Sequence, residues 1–186
     1  MIIAVDGPAA SGKGTLAAGL ARHYRLSHLD TGLLYRAVGR AVAPFVDTPA
    51  FEAQAIAAAE GLDTGTPLDP EALAGAEIGV LASKVAVVGA VRRALFDVQR
   101  RFATQPGGAG LDGRDIGTVI CPEADAKLFI VADSKARMER RARQLEARGE
   151  VVDRYRLYHQ IEERDARDMA NPHGGFYQAA DAHLLD

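Results

Sequence analysis

The sequence predicts an α/β domain of three layers, with a five-stranded parallel sheet between helices. Three observations carry that expectation. Short apolar runs alternate with helical stretches along the chain, the pattern of strands joined by helical crossovers. The first run, "IIAVD" (Ile2–Asp6), passes straight into a glycine loop and then a helix. The clearest strand, "AKLFIVAD" (Ala126–Asp133), is again followed by a helix.

Taken in order, "IIAVD" is a short buried strand, and "KGTLAAGLARHY" (Lys13–Tyr24) is a helix with Leu16, Leu20 and Tyr24 four apart. "LSHLD" (Leu26–Asp30) is the second strand, and a second helix begins near Thr31. "FEAQAIAAAEGLD" reads as a short Ala-rich helix, followed by the loop "TGTPLDP", with Pro70 placed to open the next helix. Val87, Val91, Leu95, Val98 and Phe102 predict one long amphipathic helix over about Ser83 to Ala103. "AGLDGRD" is a third strand running into a loop. Ser134 is placed to cap the helix "SKARMERRARQLEARG", which Gly149 closes. A further helix covers about Asp153 to Asp168, "NPHGG" breaks it, and "DAHLL" is the last strand. The whole reads as a single domain over 1–186, with a helix-rich insertion at about 35–105 and a helical lid at about 137–168.

Bulk properties narrow the function. A formal net charge of -3 argues against wholesale nucleic-acid binding. No apolar run approaches the length of a membrane span, and no signal peptide opens the chain. The lone Cys121 permits no internal disulfide and fits a cytoplasmic protein. Cys121 and the five histidines show no metal-ligand spacing, and read as structural or solvent-exposed. No long exposed apolar stripe asks for a partner, so a monomer is expected. Only four of the 22 basic residues are lysines (Lys13, Lys84, Lys127 and Lys135), and arginine is the better bidentate partner for phosphate.

The chemistry begins at "GPAASGKGT", Gly7 to Thr15. Gly7, Gly12 and Lys13 fit the phosphate-loop pattern, in which backbone N–H groups curl around a phosphate chain and a lysine meets its terminal phosphates. Pro8, Ala9, Ala10 and Ser11 fill the loop, and the helix that starts near Lys13 adds its positive dipole end. The residue after the lysine is Gly14, with Thr15 one step late. Asp112, at the end of the third strand, faces the loop across the carboxyl edge of such a sheet and can orient Mg²⁺ through water. The arginines of "RMERRAR" fit either a solvated helix face or a mobile lid that neutralises transferring phosphate. On sequence alone Tyr35 also fits core packing, Ser83 a helix cap and Arg92 a surface charge.

"GKGT" resembles the loops of nucleoside monophosphate kinases, in which Thr15 would offer its hydroxyl to nucleotide phosphate. With "LDTGLLYR" (Leu29–Arg36), "LASKVA....VR" (Leu81–Arg92), "GRD.GT" (Gly113–Thr118), "RR..QL" (Arg140–Leu145) and "ERDARD" (Glu163–Asp168), the chain is similar over most of its length to bacterial cytidylate kinases. The resemblance implies transfer of the γ-phosphate of ATP to CMP or dCMP, with Mg²⁺ as cofactor. It implies that Thr31, Tyr35, Arg36 and Arg114 bind the acceptor phosphate, and that Ser83 and Arg92 read the cytosine edge. Asp115, Arg164 and Asp168 would reach the sugar and acceptor side, and Arg137, Arg140 and Arg141 would close over the ATP phosphates. Lys13, Arg114, Asp115, Arg140 and Arg141 are the expected catalytic groups.

The chain departs from that family in three places. Asn171 stands where the family carries an arginine against the base, followed by "PHGGFYQAADA" in place of "APL.PA.DA". The insertion is short and lacks a hairpin-like segment, and the sequence stops at "HLLD", where the family continues. Two other readings compete. A small P-loop kinase for UMP, AMP, shikimate or dephospho-coenzyme A would share the loop and lid. A nucleotide-binding switch would leave the acceptor-side arginines idle.

Overall fold

A computed structural model describes residues 1–171 and 176–186. It contains one five-stranded, all-parallel sheet in the order β2-β3-β1-β4-β5. The strands are β1 (Ile2–Asp6), β2 (Ser27–Asp30), β3 (Ala109–Gly113), β4 (Ala126–Ile130) and β5 (His183–Leu185). The helices are α1 (Lys13–Tyr24), α2 (Thr31–Val42), α3 (Phe51–Glu60), α4 (Ala76–Val85), α5 (Gly89–Ala103), α6 (Ser134–Glu146) and α7 (Arg154–Ala170). The fold class expected from the sequence is the one observed.

Alternation along β1 builds the layers, because successive side chains of a strand point to opposite faces. Ile3 and Val5 pack with Ala17, Leu16 and Leu20 of α1 on one face. Ala4 packs on the other face with Leu111, Ala103 at the end of α5, and Ile116 and Ile120 of a single π-helical turn over Ile116–Ile120. A separate core joins the inserted helices, with Leu34, Val38 and Val42 of α2 against Ala55, Val85, Val91 and Leu95. A fourth core holds Met138, Ala142 and Leu145 of α6 against Leu157 and Ile161 of α7.

Three local expectations are corrected. The long helix over Ser83 to Ala103 is two helices, broken at Ala86–Val88, so Ser83 lies on α4 and Arg92 on α5. The break falls in the β-branched run that ends at Gly89, where helix propensity is poor, and Val88 is extended (φ -80, ψ 108). Pro70 opens no helix. It lies in a turn after Asp69, whose Oδ1 accepts from Glu71 N at 2.9 Å, and α4 begins only at Ala76. Asp133 rather than Ser134 caps α6, accepting from Lys135 N at 2.9 Å and Ala136 N at 3.2 Å. A carboxylate one residue earlier is a stronger N-terminal acceptor. The helical end at Gly149 (φ 81) is borne out, with its N–H to Glu146 O at 2.9 Å and Glu150 N–H to Leu145 O at 3.1 Å. Of the expected breaker "NPHGG", residues 172–175 lie outside the described residues. Among the described residues between α2 and β3 there is no strand, as the short insertion implied.

Candidate active site

Register places the site. Asp6 pairs with Gly113 across β1–β3, and Asp30 with Asp112 across β2–β3, so all these residues reach the same carboxyl edge. Beyond β1 the chain turns toward β2, whereas beyond β3 it crosses to β4 on the other side. The crevice therefore opens where ligands bind in open parallel sheets.

The glycine loop fills that crevice. A Cβ on Gly7 would lie 2.3 Å from the carbonyl oxygen of Ile130, so only glycine lets β1 leave the sheet here. Gly12, at φ 100, turns the chain into α1, and no side chain caps that helix. Its first N–H groups are left for a ligand. Ser11 Oγ is buried with no hydrogen-bond partner among the described residues. Lys13 is half-buried beside the loop and its ammonium is lowered to about 8, first by desolvation and then by the nearby Arg114 charge.

Arginines converge on this loop from four elements. Arg114, just past β3, donates through Nε to Asp168 Oδ2 at 2.7 Å and packs its guanidinium over Phe176, 5.4 Å from the ring centre. Arg36 of α2 donates to Leu73 O at 2.7 Å and Gly75 O at 3.3 Å, and Arg141 of α6 donates to Ala74 O at 3.0 Å. Three successive carbonyls thus hold two guanidinium groups from opposite sides of the cleft. Arg164 of α7 is lowered to about 9 by burial and then by the Arg114 charge, and its Nε has no partner among the described residues. Lys13, Arg36, Arg141 and Arg164 all line one cavity of about 410 Å³.

A neighbouring cavity of about 190 Å³ is lined by Thr31, Tyr35, Ser83, Arg92, Asp115 and Asn171. Arg92 is ion-paired with Asp115 and stands over the Tyr35 ring, 5.7 Å from its centre. The Asp115 carboxyl is raised by burial, against the pull of Arg92. Thr31 Oγ1 donates to Asp112 O at 2.8 Å, and Ser83 Oγ donates to Gly79 O at 3.3 Å. Asn171 Nδ2 donates to Ala86 O at 3.0 Å, at the elbow between α4 and α5.

The lid arginines differ from one another. Arg140 Nη1 donates to Ser11 O at 2.8 Å, so it already rests on the loop. Arg137 is buried, and its guanidinium is taken by Ala132 O, Ala9 O, Ser134 Oγ and Asp165 Oδ2. It braces the loop at Ala9, because four of its five N–H groups already have acceptors.

Three residues escaped the reading of the sequence. Asp6 is raised to about 6 by burial, and accepts from Ile116 N at 2.8 Å and Gly117 N at 2.7 Å, which pins the segment after Arg114. Asp30 caps α2 through Gly32 N at 2.9 Å and faces Lys13, its carboxyl raised by burial and by Asp112. Both stand at strand ends, which is the signal that marked Asp112. His28, one of the histidines expected to be structural or exposed, lies 2.8 Å from Asp112 Oδ1. Among the described residues no three His, Cys, Asp or Glu gather as an ion cage. The buried Asp112 carboxylate, with Asp30 beside it, is a donor set that fits Mg²⁺ bound chiefly through phosphate oxygens and water. No described helix is long and apolar enough to cross a membrane.

Comparison with known proteins agrees with this geometry. A crystal structure of an uncharacterized protein from Eubacterium ventriosum ATCC 27560 shares the fold at a TM-score of 0.52 and 15% identity, covering 100% of this chain and 88% of that one. A cytidylate kinase of Xanthobacter autotrophicus (strain ATCC BAA-1158 / Py2) is 58% identical over 186 residues, which is 100% of this chain and 88% of the relative. A cytidylate kinase of Rhodopseudomonas palustris (strain BisB18) is 52% identical over 186 residues, with 87% of its own length covered. The family model described as cytidylate kinase matches residues 3–186. By the length of that match and the identity of these relatives, the chain belongs to the cytidylate kinase family.

Proposed function

We propose that this protein transfers the γ-phosphate of ATP to CMP or dCMP, giving ADP and CDP or dCDP. The observation that carries the reading is Arg164. A half-buried guanidinium whose buried Nε has no partner among the described residues, beside Lys13, Arg36, Arg114 and Arg141, calls for a polyanion to fill the space between them. Two nucleotides meeting phosphate to phosphate supply that charge.

The roles follow from position. The loop Gly7–Thr15 cradles the ATP phosphates, with Lys13 on the terminal ones and Arg140 and Arg141 closing from α6. Arg36, Arg114 and Arg164 hold the acceptor phosphate, with Asp168 steering Arg114. Thr31, Tyr35, Ser83, Arg92, Asp115 and Asn171 form the nucleoside pocket. Cytosine presents an N4 donor beside O2 and N3 acceptors, which suits a hydroxyl and a guanidinium on facing helices. The acceptor phosphate oxygen attacks the γ-phosphorus in line, the bond to the ADP oxygen breaks, and no covalent enzyme intermediate forms. The arginines neutralise charge on the transferring group and exclude water, which would otherwise accept it. Mg²⁺ bound with ATP neutralises the phosphate oxygens, and Asp112 is the residue that would orient it through water. The inserted helices α2–α5 receive the acceptor and α6–α7 form the lid. We place the enzyme in the cytoplasm as a monomer with no nucleic-acid or membrane partner.

The test is ADP formation from ATP·Mg²⁺ with CMP, dCMP, UMP, AMP and GMP in turn. Turnover with CMP and dCMP well above the others is expected. Preference for AMP or GMP, or tight ATP binding with no turnover of any acceptor, defeats the reading.

A further inference from the structure

His28 has no place in the roles above, yet it touches the carboxylate assigned to the ion. It lies on the edge strand β2, and its Nε2 is 2.8 Å from Asp112 Oδ1. A carboxylate only accepts, so this ring nitrogen carries the proton and donates. The Asp112 side chain is almost fully buried, and of its two oxygens Oδ2 is the nearer to Gly14, with Oδ1 about half an ångström farther away. Oδ1 is held by His28, and Oδ2 looks toward the phosphate loop, 3.5 Å from where a Cβ on Gly14 would stand. Asp30 lies across the β2–β3 register, and its like charge pushes on Asp112. A carboxylate repelled from one side keeps a fixed rotamer only if something holds it. Packing alone does not hold the ring there, because His28 lines a cavity of about 450 Å³ between Leu33, Leu68 and Phe102 into which it could swing.

We propose that His28 is a positioning residue. It clamps one oxygen of Asp112 so that the other stays aimed at the phosphate loop, and so sets how effectively the enzyme uses the hydrated Mg²⁺ that accompanies ATP. The proposal rests on the placement of Asp112 toward that ion. Outer-shell partners of ion-binding groups are worth roughly 10- to 100-fold in metal affinity. A carboxylate acting through water belongs near the lower figure.

The test uses the full chain with His28→Leu, His28→Gln, His28→Asn and Asp112→Asn. ATP affinity is measured by calorimetry without acceptor, first in chelator and then across a Mg²⁺ series, alongside the Mg²⁺ needed for half-maximal CMP phosphorylation. His28→Leu should need roughly 10-fold more Mg²⁺ in both assays, with metal-free ATP affinity and Tm unchanged. Gln, which can reach with its amide N–H, should restore most of the loss, and the shorter Asn should not. An unshifted Mg²⁺ series in His28→Leu, with Asp112→Asn shifted, overturns the role of His28 alone. An unshifted series in Asp112→Asn overturns the reading of Asp112 on which it rests. Equal loss of metal-free and Mg²⁺-dependent ATP binding in His28→Leu makes the residue structural and overturns the proposal as well. If His28→Leu does not fold, the contrast between Gln and Asn decides.

Discussion

Arg114 and Asp168 meet at 2.7 Å from segments 54 residues apart, so the loop after β3 and the last turns of α7 are tied at one ion pair. Arg114 also donates to the Gly7 carbonyl, which brings the phosphate loop into the same junction. Removing the carboxylate frees the guanidinium that is to meet the acceptor phosphate. Asp168→Ala should lower kcat/KM for CMP by about 100-fold, in the range found when one partner of a largely buried charge pair is truncated. The KM for ATP should change little. Steady-state kinetics with each nucleotide varied in turn checks this, and a loss shared equally by ATP would count against it.

Lys13 ties activity against stability. Its pKa in the fold, about 8, lies below the unfolded value of 10.5, so burying the charged amine costs stability at every pH below about 8. The cost fades as pH rises from about 8 to 10.5, and is gone only above 10.5, where the amine is neutral in both states. Lys13→Met should therefore raise the stability of the ligand-free protein near pH 7, by on the order of 1–3 kcal/mol, while turnover falls by orders of magnitude. Denaturant melts at pH 7 and pH 10 check it, because the gap between variant and parent should shrink at the higher pH.

The same lysine predicts proton uptake on binding. Near pH 8 about half of the ligand-free molecules have a neutral Lys13. ATP phosphates restore the charge, so binding should draw protons from the buffer. Calorimetry at pH 8 in two buffers of different ionisation enthalpy should give different apparent enthalpies. Identical values would mean that the amine is already charged before ATP arrives.

Asn171 reaches the elbow between α4 and α5 rather than extending a charge into the nucleoside cavity. Ser83 and Arg92 sit on opposite sides of that elbow, so Asn171 bears on their spacing. Asn171→Ala should raise the KM for CMP several-fold, about what a lost buried hydrogen bond costs, and should narrow the preference for CMP over UMP. Competition between the two acceptors measures the ratio directly.

Sequence reasoning reached the sheet and the phosphate loop because each has a local signature, whereas the acceptor-side arginines were named only through the family resemblance. The strands are short runs, three of which end at glycine or aspartate, and the loop is set by glycine spacing. The elbow at Ala86–Val88 was not legible, because Val87, Val91 and Leu95 keep helical spacing through the break. The bracing role of Arg137 was also hidden. Arg137, Arg140 and Arg141 share one helix and one composition, and only tertiary contacts send the first to Ala9 O and the second to Ser11 O. Asp6, Asp30 and His28 depend on register between strands that lie far apart in the chain, which no window of sequence contains.

The order of the sheet also governs how the protein is made. β1 precedes the other four strands of the sheet in the chain and is the most central, yet both strands that flank it, β3 and β4, come from residues 109–113 and 126–130. Every pairing is parallel, so no local hairpin can seed the sheet. The nascent chain must carry β1 and its glycine loop unpaired until β3, at residues 109–113, has been made. The helical insert, whose core is built almost wholly from residues 34–98, can assemble during that wait. Nucleotide binding thus waits on strands made well after the loop itself, because the loop precedes both of the strands that hold β1 in place.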